Sequence, residues 1–177
     1  PFDPSNKENL TPQIQLDRFA QRRDLLNNID IKGVSGKGAE SVEFYEGQAY
    51  DVILGSAKDA FNLDKEDEKT REAYGKNSIG DQLLLARRLA EHGTRFVTLH
   101  YGGWDHHSNV GTAMKAKVPP VDKAIASFLQ DVEERGLSEK ILLVVTGEFG
   151  RTKLNGTVGR DHWPSMTPML MAGGEYQ

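Results

Sequence analysis

"IGDQLLLARRLAEHGTRFVTLHYGGWDHHSN", residues 79–109, changes its hydrophobic period partway along. Its first half repeats apolar residues at helical spacing: Leu83, Leu84, Ala86, Leu89 and Ala90 form a broad apolar face, and Gly93 supplies a C-terminal stop. "RFVTLH" then has the length and composition of a short buried strand. The same pair of signals recurs downstream. "PPVDKAIASFLQDVEERG" reads as a helix begun by proline and ended by glycine, and "KILLVVTG" as a second buried strand. Two strands joined by a helical crossover are expected to be parallel and right-handed, with helices on both faces. The expected class is therefore α/β, a mostly parallel sheet flanked by helices.

Upstream the pattern is helical and polar. Thr11 as N-cap and Pro12 at the first helical position introduce an amphipathic helix over "QIQLDRFAQRRDLLNNI", with Ile14, Leu16, Phe19, Leu25, Leu26 and Ile29 on one side. "DIKGVSGKGAESVEF" is a glycine-rich loop; no strand precedes its glycines and no GK[ST] follows, so it is not a phosphate loop. A second helix is expected over "YEGQAYDVILGSAKDAFNL", and "DKEDEKTREAYG" is a charged helical surface segment. The 177 residues read as a single partial domain: 1–78 mainly helix and loop, 79–177 the α/β portion with the candidate site. The chain opens on "PFDPSN" and stops at "AGGEYQ", so both ends are expected to continue in a longer protein.

Twenty-two basic against 26 acidic residues give a net charge of −4, the opposite of a nucleic-acid footprint. With no cysteine, disulfides, thiolate metal sites and cysteine nucleophiles are excluded, and any metal must take nitrogen and oxygen ligands. No segment approaches the roughly 18 apolar residues of a membrane span.

In a parallel sheet both strands end on one edge, where α/β proteins gather ligands. "HYGGWDHHSN" follows the first strand and "TGEFGRTKLNGTVGRDHWP" the second, so His100, Asp105, His106, His107, Glu148, Arg151, Asp161 and His162 are expected on one rim. Asp105 and His107, two apart in a glycine-led turn, can aim at one point while His106 faces away. Asp161 and His162 complete a set of imidazole and carboxylate groups suited to a divalent metal: zinc first, with manganese, magnesium or calcium as the other choices. Glu148 is a candidate ligand or general base, and Arg151 a bidentate grip for a phosphate or sulfate oxygen. The expected metal ligands are thus Asp105, His107, Glu148, Asp161 and His162, and the expected catalytic residues Glu148 and Arg151.

Structural readings stand beside these. His92 near a helix end suits the helix dipole, and His100 packs within its strand. Trp104 and Trp163 cover the rim with their indole nitrogens on loop carbonyls, or stack on a sugar. Glu148 and Arg151 can brace the loop by pairing with each other.

"GWDHH", "GEFGRT" and "GRDHW", in that order and followed by an apolar run ending "AGG", resemble the bacterial domain-of-unknown-function family 1501, over roughly residue 60 to the end. That family is grouped with the alkaline phosphatase and sulfatase superfamily. The resemblance implies an alkaline-phosphatase-like sheet, incomplete in this chain, and hydrolysis of phosphate or sulfate esters of a small molecule or glycan. It also implies Asp105 and His107 as the first ligand pair, Glu148 as the acid after the second strand and His162 as the late histidine. Glu148 stands where those enzymes carry Asp followed by His, and Phe149 replaces that histidine, which counts against two metals and leaves room for one. Lys153 departs from the family's usual "GEFGRTP". The superfamily's Ser, Thr or formylglycine nucleophile follows an early strand, a motif not found in this chain. Twin-arginine export, common in the family, implies a periplasmic or extracellular location. The alternative is a non-catalytic relative, a binding or cell-surface structural module.

Overall fold

The computed structural model describes residues 57–174, together with Arg18, Gln21, Asp24 and Leu25. These four are helical and exposed, within the helix expected over 13–29. The glycine-rich stretch 30–44 lies outside the described residues, as does most of the expected helix over 45–63. The chain divides into two compact units, Pro1–Lys65 and Glu66–Gln177. In the first, α1 (Ala57–Ala60) leads to a 3-10 turn, Leu63–Lys65, with Lys65 paired to Asp59 at 2.7 Å.

The second unit contains three helices and two small sheets. α2 (Glu68–Tyr74) starts on Asp67, whose carboxylate accepts from the Thr70 amide at 2.8 Å and from the Thr70 hydroxyl at 2.7 Å. α3 (Ser78–Glu91) starts on Asn77, whose side chain accepts from the Gly80 amide at 3.2 Å. Gly80 lies against the carbonyls of Tyr74 and Gly75 so closely that a Cβ there would overlap both, which is why the two helices can turn this tightly. α4 (Val110–Glu134) packs on both. It presents Ala124, Phe128 and Val132 at four-residue intervals to Tyr74, Ile79, Leu83, Leu84 and Leu85, the buried apolar core of this unit. No helix among the described residues is long and apolar enough to cross a membrane.

The sequence placed the apolar face of α3 slightly off. Leu83 and Leu84 are buried as expected, but Leu85, Arg87 and Arg88 are buried too, while Ala86, Leu89 and Ala90 are only partly covered. The reason is electrostatic. Arg87, with none of its surface exposed, donates from Nη1 to Glu91 at 2.5 Å and faces Glu66 and Asp131 at 2.8 and 3.0 Å. Arg88 also pairs with Glu66, Arg135 reaches Asp131 at 2.6 Å, and the Tyr74 hydroxyl donates to Asp131 at 2.9 Å. Burial disfavours a charged Arg87, but the surrounding carboxylates outweigh it and hold the guanidinium more firmly protonated than usual. Periodicity alone reads arginine as exposed; three carboxylates converging on it reverse that reading.

Two further expectations are corrected. α4 begins at Val110, not at the prolines: Pro119 and Pro120 lie inside the helix, where each removes a main-chain donor. Its N-terminus has no side-chain cap on Asn109; instead the Val110 amide donates to the Val158 carbonyl at 3.0 Å, a partner far away in sequence. The strands also differ. β1 (Leu142–Thr146) forms as expected, but pairs antiparallel with β4 (Met169–Gly173), while β2 (Gly150–Arg151) pairs antiparallel with β3 (His162–Trp163). Residues 95–100 show strand-like alternation, with Val97 and Leu99 partly covered between exposed neighbours, yet carry no ladder among the described residues. The class is mixed α/β, and no parallel pair occurs among the described strands. The buried strand expected at 142–146 is half open, with Leu142 and Val144 exposed on one side.

Glu66 links the charged cluster to acid stability. Burial raises its carboxyl, and the pairing with Arg87 and Arg88 more than offsets that, so the folded value lies below the ordinary 4.5. A lowered carboxylate contributes stability above its unfolded value that is lost as pH falls through the folded one. Glu66→Gln is expected to cost about 3 kcal/mol at neutral pH in chemical unfolding. Its acid-unfolding curve should also be flatter below 4.5 than that of the unchanged protein.

Candidate metal centre

The short β2–β3 ladder sets the geometry of the site. Arg151 and His162 are register partners, so their side chains leave the ladder on the same side, and both reach Asp105. The Arg151 Nη1 lies 2.7 Å and the His162 Nε2 3.0 Å from Asp105 Oδ1. His107, two residues along from Asp105, brings its own Nε2 to 3.0 Å from the same oxygen. Phe149 backs the arrangement, its ring centroid 4.3 Å from that of His162 and 5.4 Å from the Arg151 guanidinium.

The second half of the site is the ten-residue loop that joins β2 to β3. It folds back on the Asp105–Asn109 segment: the Asn109 amide donates to Thr157 at 3.2 Å, the Arg160 amide to His106 at 3.0 Å, and Ser108 bridges Val158. Gly159 passes so close to the His107 carbonyl that a Cβ would overlap main-chain atoms. Val158 holds a left-handed φ of 57°, a conformation β-branched residues rarely adopt. Its carbonyl is the group that accepts from the start of α4, which explains why the strain is retained. From this loop Asp161 meets the opposite edge of the His107 ring, Oδ1 to Nδ1, at 3.0 Å.

Charge follows from these contacts. The hydrogen bond from His162, then that from Arg151, with His107 adding its attraction, pulls the Asp105 carboxyl down to about 2, so it is an anion throughout the physiological range. Asp161 is lowered as well, by its hydrogen bonds from His107 and then Asn155.

Of the residues singled out in the sequence, Asp105, His107 and His162 offer ligand atoms within 4.8 Å of one another. Asp161 touches this group only through the far nitrogen of His107, and Glu148, exposed just before β2, is not in it. Arg151 pairs with Asp105, not with Glu148. His106 stays outside the group, its backbone serving the loop contact. The His92 Nδ1 donates to the Arg88 carbonyl at the end of α3, a structural role. The Trp104 indole donates to the Tyr101 carbonyl at 2.6 Å, and the Lys117 ammonium lies 5.0 and 5.1 Å from the Tyr101 and Trp104 rings. Sequence reasoning passed over Asn155, Thr157 and Gly159; the "NG" turn signal at 155–156 was the available pointer.

Because Gly159 has no room for a side chain, Gly159→Ala is expected to push the loop from residue 107. The loss should be about 2 kcal/mol or more in thermal or chemical unfolding, with residues 105–109 and 155–162 exchanging their amide protons faster than in the unchanged protein.

Comparison with curated proteins and with solved structures returns no match. A family profile described as protein of unknown function (DUF1501) matches residues 2–177, so the likeness extends beyond the motifs to the first third of the chain. Nearly the whole chain is covered, and the protein belongs to the DUF1501 family.

Proposed function

We propose that the chain carries the metal-binding site of a hydrolase acting on phosphate or sulfate esters, with Asp105, His107 and His162 as ligands. The observation that carries this reading is the convergence of two imidazole Nε2 atoms on one carboxylate oxygen, each 3.0 Å from it, with the three ligand atoms within 4.8 Å of one another and all on exposed residues. Metal–nitrogen and metal–oxygen bonds of about 2.0–2.1 Å put neighbouring ligands of a tetrahedral ion roughly 3.3 Å apart, close to the 3.0 Å that separates each Nε2 from Asp105 Oδ1. Three ligands leave a position for substrate, and two nitrogens with one oxygen favour zinc, manganese being the nearest competitor. A divalent ion bound there supplies Lewis-acid polarisation of the ester oxygen.

The chain's own residues do the rest. Asp105 contributes the full negative charge. Asp161 holds the His107 ring from behind, so that Nε2 faces the ligand group. Arg151 donates to Asp105 through one nitrogen and has further N–H groups for an oxygen of the phosphoryl or sulfuryl group. Under this reading the chain is a member of the alkaline phosphatase and sulfatase superfamily that works outside the cytoplasm, and residues 95–100 enter a mostly parallel sheet beside β1. The support for the sheet is the continuous apolar character of β1 and its half-open faces. Superfamily and location rest on the resemblance of the motifs.

Metal analysis after dialysis against zinc should find one equivalent in the unchanged protein and none in a His107→Ala/His162→Ala double variant. Absence of bound metal in both would overturn the reading. Metal binding with no release of product from any aryl phosphate or aryl sulfate would instead favour the non-catalytic module.

A further inference from the structure

The Asn155 carboxamide lies where the two halves of the site meet. Its Oδ1 accepts from the amides of Thr157 and Gly159 at 3.1 and 2.9 Å, while the Thr157 hydroxyl beside it donates to the His107 carbonyl at 2.7 Å. With two main-chain amides donating to the oxygen, the orientation of the carboxamide is determined, and Nδ2 must point the other way. There it donates to the His107 carbonyl at 3.2 Å and to both oxygens of Asp161 at 3.3 and 3.4 Å. Asp161 is held from two further directions: its amide donates to the Thr152 hydroxyl, and its carbonyl accepts from the Thr152 amide, each at 3.0 Å. An ionised carboxylate only accepts, so the His107 Nδ1 that meets Asp161 Oδ1 carries a proton.

We propose that Asn155 is a positioning residue of the metal centre: acting through Asp161, it fixes the His107 ring with Nδ1–H turned to Asp161 and Nε2 turned to the ligand group. This rests on the metal-binding reading above. The argument is one of donors and acceptors. Asp161 alone could rotate and present either oxygen to solvent; two contacts from one rigid amide remove that freedom. The same amide grips the backbone of His107, so the ring and the carboxylate that orients it are tied to one group. A ligand whose ring is set in advance loses less freedom on binding, which is how partners behind a ligating histidine strengthen metal sites.

Asn155→Asp is the informative variant, since it keeps the oxygen that closes the turn and replaces the donor facing Asp161 by an acceptor of like charge. The cobalt and zinc affinities of the unchanged protein, Asn155→Asp, Asp161→Ala and the double variant are to be compared by calorimetry, with cobalt absorption as the spectroscopic signature. The expected result is a loss of about 10- to 100-fold for each single variant and no further loss in the double. Full affinity in Asn155→Asp, or losses that multiply in the double variant, would overturn the proposal. In the metal-free protein the His107 Nδ1–H proton should be visible by NMR and protected from exchange, and unprotected in Asn155→Asp. If the unchanged protein binds no metal, the metal-binding reading fails, while this proton still reports whether Asn155 holds His107. Should Asn155→Asp fail to fold, the unchanged protein reads the same contact: its Asn155 carboxamide resonances shift on zinc addition, and an absent shift counts against the proposal.

Discussion

The amides of Asn109 and Val110 donate to the carbonyls of Thr157 and Val158, and through this joint the start of α4, the Asp105–Asn109 segment and the loop between β2 and β3 become one piece. A long helix needs partners for its first N–H groups, and here the partner comes from a distant loop and not from a neighbouring side chain. That choice has a chemical consequence. The loop that satisfies the helix also carries Asp161 and Asn155, so the requirement to close a helix end is what delivers a carboxylate to the back of His107. The left-handed Val158 and the missing side chain of Gly159 are local concessions to the same joint.

Two charged clusters stand among the described residues, and their environments separate their uses. Around Arg87 three carboxylates and three guanidiniums meet beside α2, α3 and α4, with the side chains of Arg87, Arg88 and Glu66 buried and Glu91 and Arg135 at the edge, so charges are matched and their partners fixed. Such a cluster specifies how helices pack and adds little net stability, because desolvation offsets much of the attraction. Around Asp105 the charges sit exposed on a two-residue ladder and a loop, with one carboxylate oxygen shared by an arginine and two histidines. Exposure leaves these groups open to an incoming ion or oxyanion, and the loop hydrogen bonds, not burial, hold them in register.

Much of the site was legible before folding was considered. "GWDHH", "GEFGRT" and "GRDHW" named Asp105, His107, Arg151 and His162, and the glycines around them marked turns able to aim side chains at one point. What spacing could not separate was a ligand from its support. Asp161 and His162 are adjacent, yet they approach His107 from different sides: His162 shares Asp105 with it, while Asp161 takes the nitrogen on the ring's other edge. Only the register of β2 against β3 makes that assignment, since neighbours along a strand point to opposite faces. Glu148 carried the same chemical promise as Asp105 in the sequence and lies outside the group.

By itself the sequence determined the helices over 68–74 and 78–91, the strand at 142–146 and the identity of the polar groups, because hydrophobic period, capping residues and side-chain chemistry act over a few neighbours. It did not determine the antiparallel pairing of β1 with β4, the start of α4 ahead of two prolines, or the burial of Arg87. Each of these depends on a partner distant in the chain: a strand more than twenty residues on, a carbonyl at Val158, carboxylates from two other segments. Local propensity is blind to such partners, and the tertiary structure decides them because a main-chain donor or a buried charge must find its complement wherever the fold provides one.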